Sequence, residues 1–183
     1  MDKHILIKKY LEQHSLVESN IRSFNNFIEI RMQQIINEIN EHISNDEVEI
    51  RFGKIKIGKP NIIEADGSVN PITPTESRLR NLTYSSPIFI ELNVKYGDQS
   101  DSSEVEIGRI PVIVKSNVCN IYGMNKDELR ANLIDPLDPG GYFIINGNER
   151  IMVMTEDLAP NQPFIEEGRQ GLTLRLFSQR GPY

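Results

Sequence analysis

Two arginine-bearing segments hold the residue types and spacings most able to do chemistry. Glu149-Arg150 lies just past Asn146-Gly147, between apolar runs at 142–145 and 151–154. Asn-Gly is the dipeptide that best tolerates the positive φ of a type I′ turn. The segment therefore predicts a two-residue hairpin whose returning strand covers 150–154. Pro139-Gly140-Gly141 punctuates the approach to it. A guanidinium on a packed strand can give a charge-assisted bond to a backbone phosphate without reading base sequence. It can equally pair with Glu149 or another nearby acid. Arg78 and Arg80 stand two apart beside Asn81, so an extended chain points both the same way. They suit contact with a phosphate or a neighbouring chain. They equally suit tying a loop to a sheet through carboxylates and carbonyls, a frequent use of the planar fork. Arg150, Arg78 and Arg80 are the candidate binding residues.

Independent catalysis has no visible means. The sequence contains no P-loop, no dinucleotide fingerprint and no nucleophile elbow. Its histidines stand at 4, 14 and 42, and Cys119 is the single cysteine, which excludes an internal disulfide and a zinc site. A lone cysteine of this kind reads as a small buried apolar side chain in a reducing compartment. Carboxylates are numerous, but none form the Asp cluster that holds two magnesium ions for nucleotidyl transfer. Asp135 and Asp138 flank prolines and read as turn residues. Asn81-Leu82-Thr83 matches a glycosylation sequon by chance. No catalytic residue, metal ligand or cofactor site is expected in this chain.

At 183 residues the chain is long enough for one domain with a core, or one domain plus an arm. Its hydrophobic share of 38% and charged share of 25% are ordinary for a soluble protein. No apolar run approaches the ~20 residues that span a bilayer. Lys8 and Lys9 interrupt the N-terminal apolar residues, so no signal-peptide shape is present. The expected location is cytoplasmic, without a membrane partner. A net charge of −6 argues against autonomous nucleic-acid binding, but not against membership of a larger DNA-handling assembly.

The elements that must position the arginines follow from periodicity. Asp2 opens a short helix through residue 12, and His14-Ser15 breaks it. Ser15 and Glu18 have capping-box spacing. Val17, Ile21, Phe24, Ile28, Met32, Ile35 and Ile39 then form one stripe of a long amphipathic helix, widened by Ile36 and Ile43, with core packing as its role. From about residue 47 the period becomes two. Val48, Ile50 and Phe52 alternate, and Ile55 and Ile57 take the opposite parity across Gly53-Lys54, which marks a β-bulge. Ile62-Ile63 predicts another strand, with a turn at Asp66-Gly67-Ser68. Residues 70–76 read as loop, and Pro74 opens a helical turn to Arg80. A long strand covers 82–96, followed by a mobile polar connector at 97–103. Val105 and Ile107 give way to Ile110, Val112 and Val114 across Gly108, a second bulge. Asn125 caps a helix over 126–133, and Leu172, Leu174 and Leu176 form a last strand. The fold class is α+β: N-terminal helices, one long and amphipathic, then a mainly antiparallel, bulged sheet with one inserted helix. The expected parts are a helical segment at 1–46, a mixed domain at 47–166, and a final strand at 167–183.

Four blocks resemble the N-terminal part of the second-largest (beta, or B) subunit of multi-subunit DNA-dependent RNA polymerase. They are LVESNIRSFNNFIE at 16–29, PTESRLRNLTYSSPIFIEL at 74–92, IGRIPVIVKSNVC at 107–119 and GGYFIINGNER at 140–150. They stand in the family's order and spacing, and TEDLAPN at 155–161 looks archaeal. Ser77 replaces the family's commoner alanine, a mild departure. The resemblance implies the protrusion, one wall of the DNA and RNA–DNA hybrid cleft in transcription, without catalytic residues of its own. It implies that Arg150 lies beside the hybrid. Nucleotidyltransferase activity is then expected only in the complex, with Mg2+ bound elsewhere. The implied partners are the other polymerase subunits, above all the largest one and the rest of the second-largest, with template DNA, nascent RNA and an initiation factor of the transcription-factor-B kind. It further implies a fragment that stops where a lobe region begins. The competing reading is a stand-alone α+β protein-interaction module.

Overall fold

The computed structural model describes residues 3–40, 49–97, 99–153, 155–169 and 171–180. Asp2, His42, Ile43, Val48 and Met154 lie outside them, so the helix start at Asp2 and the outer reaches of the stripe, of the first strand and of the returning hairpin strand do too. Helix α1 (Lys3–Gln13) ends before the break at His14. After it the chain runs through α2 (Glu18–Asn26), a π turn (Phe27–Arg31) and α3 (Met32–Asn40). The expected capping box does not form. The helix begins at Glu18, which puts this carboxylate in the first position, and it pairs with Arg22 at 2.6 Å; the Ser15 hydroxyl accepts from the Val17 N–H instead.

The π turn changes which residues face inward. It holds one residue more than an α turn and shifts every later position by one place. Phe24 and Ile36 are buried, whereas Ile35 and Ile39, expected on the inner stripe, are 45% and 39% exposed. Gln33 and Asn40 take inner positions instead, against β1 (Glu49–Ile57). Asn40 donates to the Phe52 carbonyl (2.6 Å) and accepts from the Phe52 N–H (2.8 Å). Gln33 accepts from the Ile55 N–H (3.0 Å) and donates to the Gly53 carbonyl (3.2 Å). Two side-chain amides thus satisfy the outer edge of β1 at its bulge, where an unpaired strand edge would otherwise stand open.

β1 pairs antiparallel with β4 (Ser85–Tyr96), which pairs antiparallel with β5 (Gln99–Pro111), in the order β1-β4-β5. Register slips between Phe52 and Ile55, and again opposite Ile88 and Phe89, where Ile107 has no partner. These are the bulges expected at Gly53 and Gly108. The polar run at 97–103 is mostly strand rather than loop. Tyr96 pairs with Gln99, and Ser100 to Ser103 oppose Lys95 to Leu92, because a long partner strand outweighs the weak strand preference of serine and aspartate.

β2 (Asn61–Ile63) and β3 (Val69–Pro71) form a hairpin closed by Asp66, whose carboxylate accepts from the Ser68 N–H and hydroxyl. Residues 70 and 71, expected as loop, belong to it. Thr73 caps α4 (Pro74–Leu79), and Asn125 with Glu128 forms a capping box on α5 (Lys126–Ala131). The class is α+β as expected, with every strand pairing antiparallel. Among the described residues it consists of a three-stranded sheet and separate two-stranded hairpins, and two short helices are inserted rather than one.

The core lies where irregular chain meets the blocks at 74–92, 107–119 and 140–150. Tyr84, Val112, Val114, Cys119 and Ile144 are fully buried, joined by Phe24, Ile72, Ile121 and Leu129. Val112 and Val114, expected in a strand, lie past the end of β5. Their N–H groups bond instead to the carbonyls of Tyr84 and Tyr142, both at 2.9 Å. Cys119 is buried as expected, and its Sγ meets the Tyr84 hydroxyl at 3.3 Å. Burial, then the neighbouring Cys119, pushes the Tyr84 phenol well above its ordinary range.

Contacts divide the chain into Met1–Met152 and Val153–Tyr183. The second unit contains β8 (Pro163–Gly168) and β9 (Gly171–Leu176). Leu172, Leu174 and Leu176 alternate along β9, as expected, opposite Glu167, Ile165 and Pro163.

Candidate nucleic-acid interface

The hairpin carrying Arg150 is built on its turn. β6 (Phe143–Ile145) pairs with β7 (Asn148–Arg150), and Asn146 and Gly147 form the connection with φ of 49° and 76°. Two positive values are the type I′ signature. The returning strand is shorter than expected and ends at Arg150; Ile151, Met152 and Val153 are exposed beyond it. The turn is also pinned from outside. The Gly147 N–H donates to the Leu82 carbonyl (3.0 Å), and the Asn146 N–H to the Thr83 hydroxyl (3.1 Å). A Cβ on Gly147 would stand 2.9 Å from Asn81 Cα and 3.1 Å from the Arg78 carbonyl. Gly147→Val is expected to lower stability by about 2 kcal/mol, because positive φ and a backbone contact both oppose the side chain. Urea unfolding checks it, and an unchanged midpoint would contradict the packing of this turn.

Arg78 and Arg80 do not lie on extended chain. Arg78 is in the last turn of α4 and Arg80 caps its end, so the two side chains diverge. Arg80 donates through both terminal nitrogens to Glu64 (2.8 and 2.9 Å) and also to Glu76 (2.8 Å). The hydrogen bonds to these two carboxylates hold its proton more tightly than usual, and the bond from Arg80 in turn lowers the Glu64 pKa. This bidentate grip fixes the end of α4 to the β2–β3 hairpin.

Arg78 reaches the Arg150 hairpin. Its Nε donates to Glu149 (2.8 Å), and its terminal nitrogen donates to the Tyr142 hydroxyl and stands 3.8 Å from Asp138. The Tyr142 hydroxyl donates onward to Asp138, which also accepts from the Gly140 N–H (2.8 Å) in its turn role. Asp135 plays its expected turn role through the Leu137 N–H (2.8 Å). Burial, then Asp138, raises the Tyr142 pKa above the ordinary phenol value.

Arg150 is exposed, and its guanidinium makes no hydrogen bond or ion pair to another described residue, its backbone being paired with Phe143 across the hairpin. The anticipated Glu149–Arg150 bridge is absent: neighbours on a strand point to opposite faces, and Glu149 is taken by Arg78. The sequence did not suggest this division of labour, since Arg78 and Glu149 are separated by 71 positions. Among the described residues, no group of three or more His, Cys, Asp or Glu side chains converges as a metal site. No helix among them is long and apolar enough to cross a membrane.

The family model described as RNA polymerase beta subunit matches residues 15–162. The chain belongs to that family. DNA-directed RNA polymerase subunit Rpo2N of Methanocaldococcus jannaschii is 42% identical over 172 residues, which are 90% of this chain and 34% of that protein. Rpo2N of Halobacterium salinarum is 38% identical across 100% of this chain and 38% of its own length. Subunit Rpo2 of Saccharolobus solfataricus is 39% identical across 91% of this chain and 15% of its own length. The chain thus spans about a third of the Rpo2N relatives it matches. These archaeal likenesses agree with the archaeal character of residues 155–161. Within the beta subunit family match, α2, both bulged strands, α4, α5 and the Arg150 hairpin fall inside the shared region.

Proposed function

We propose that this chain forms part of the wall that guides DNA and the RNA–DNA hybrid through an archaeal, multi-subunit RNA polymerase, and that Arg150 contacts a backbone phosphate there. The observation that carries the reading is the exposed, unpaired guanidinium of Arg150 on a pinned two-residue hairpin. A rigid base suits a group that meets a passing strand at fixed height, and a phosphate contact needs charge rather than base readout. Arg78, bonded to Glu149 and Tyr142, and Arg80, bonded to Glu64 and Glu76, serve as ties for the platform. Nucleotide transfer belongs to the assembled enzyme, with Mg2+ held by other parts of it, as the family resemblance implies. The partners are the largest subunit, the rest of the second-largest subunit, template DNA, nascent RNA and a transcription-factor-B-like initiation factor, in the cytoplasm.

The test is Arg150→Ala in the assembled polymerase. Elongation complexes should lose salt resistance on all templates alike, and the salt dependence should fall by about one phosphate contact. Arg150→Lys should be largely tolerated, since a point charge can replace a fork at a phosphate. Unchanged salt resistance combined with a lower melting temperature would show that Arg150 is an internal tie instead.

A further inference from the structure

We propose that Arg78 is a positioning residue for Arg150: it neutralises Glu149, so that the carboxylate next in the chain does not repel the phosphate that Arg150 receives. The inference rests on the phosphate reading above. Alternation along β7 sends Glu149 toward α4 and Arg150 to the other side, but consecutive residues on a strand remain within a Debye length of each other. Glu149 is half-exposed, with 56% of its side chain open to solvent, so without a partner its charge acts on anything approaching Arg150. Arg78 faces two carboxylates with one positive charge. It makes a 2.8 Å bond to Glu149 and only a 3.8 Å approach to Asp138. Asp138 is served by neutral donors, the Tyr142 hydroxyl and the Gly140 N–H. The charge of Arg78 is thereby directed to Glu149. Its guanidinium is itself seated 5.6 Å from the Tyr142 ring centroid, which fixes it in place.

The test compares salt resistance of elongation complexes made with whole polymerase carrying Arg78→Gln, Glu149→Gln, both changes, or Arg78→Gln in an Arg150→Ala background. Arg78→Gln should shorten complex lifetime by about threefold at moderate ionic strength, the order of one unit-charge repulsion across roughly 7 Å of water, and the effect should shrink as added salt screens it. Adding Glu149→Gln should restore the lifetime, because the charge that Arg78 neutralises is gone. Glu149→Gln alone should leave it unchanged or longer. In the Arg150→Ala background Arg78→Gln should have no further effect. Suppose Arg150→Ala shortens the lifetime, but Arg78→Gln has no effect, is not rescued by Glu149→Gln, or acts equally without Arg150. Then Arg78 is only a fold tie, and this inference fails while the phosphate reading stands. If Arg150→Ala itself changes nothing, both fail together.

Discussion

Gly141→Ala is expected to destabilise the chain by about 4 kcal/mol, from backbone strain and overpacking combined. Gly141 is buried at φ 81°, in the left-handed region. A Cβ there would stand 2.4 Å from Val17 Cβ and 3.0 Å from both Val17 γ carbons. Val17 immediately precedes α2, and its β-branched side chain has little rotamer freedom to retreat. The Gly141 N–H also donates to the Val114 carbonyl at 3.0 Å, so the backbone cannot back away without losing a bond to buried chain. Gly67→Ala separates the two effects. Gly67 has φ 84° but nothing within 4 Å of its Cβ position, so only strain applies, about 1 kcal/mol. Val17→Gly should rescue part of the Gly141→Ala loss and none of the Gly67→Ala loss. Equal urea midpoints for the two alanine variants would refute the close approach of α2 to the Gly-Gly segment.

What the sequence disclosed and what it hid divide along a physical line. The Asn146-Gly147 turn, the Asn125 cap, and the bulges at Gly53 and Gly108 are local: a few neighbouring residues fix φ, a cap or a change of parity. Each was legible. The π turn was not. Its consequence appears in α3 beyond it, where polar Gln33 and Asn40 take the inner face and their amides find backbone partners on β1. A hydrophobic stripe cannot report such partners, and so it misassigned Ile35 and Ile39. The strand at 99–103 was hidden for a similar reason, since its pairing depends on β4 and not on its own composition. At the candidate site, the hairpin that carries Arg150 could be read from spacing. The Arg78–Glu149 pair could not, because only the folded chain brings α4 and β7 together.

Asn120→Asp tests the other kind of hidden residue, a polar side chain that closes the core. Asn120 Nδ2 donates to the carbonyls of Pro60 and Ile72, both at 2.7 Å, and the Asn120 N–H donates to the Tyr84 hydroxyl at 2.9 Å. Both side-chain partners are carbonyls, which only accept, so the donating amide is required. Pro60 and Ile72 are almost wholly buried. The Ile72 N–H also serves the Pro60 carbonyl, but Asn120 is the partner found for Ile72 O among the described residues. A carboxylate in this place would face two acceptors with no proton to give. The expected loss is about 3 kcal/mol near neutral pH, the cost of unsatisfied buried acceptors plus a misplaced charge. The sign of its pH dependence is fixed. Burial and the two carbonyls raise the folded-state pKa of the introduced acid above the unfolded value of about 3.9. The protonated acid can donate to one carbonyl. Relative to wild type, the Asp variant is therefore least impaired below about pH 4, and its deficit grows as pH rises through the folded-state pKa. Asn120→Ala should lose less, about 1–2 kcal/mol, with no such pH dependence. An Asp variant as stable as wild type at pH 7, or one whose loss deepens on acidification relative to wild type, would overturn the role assigned to this amide.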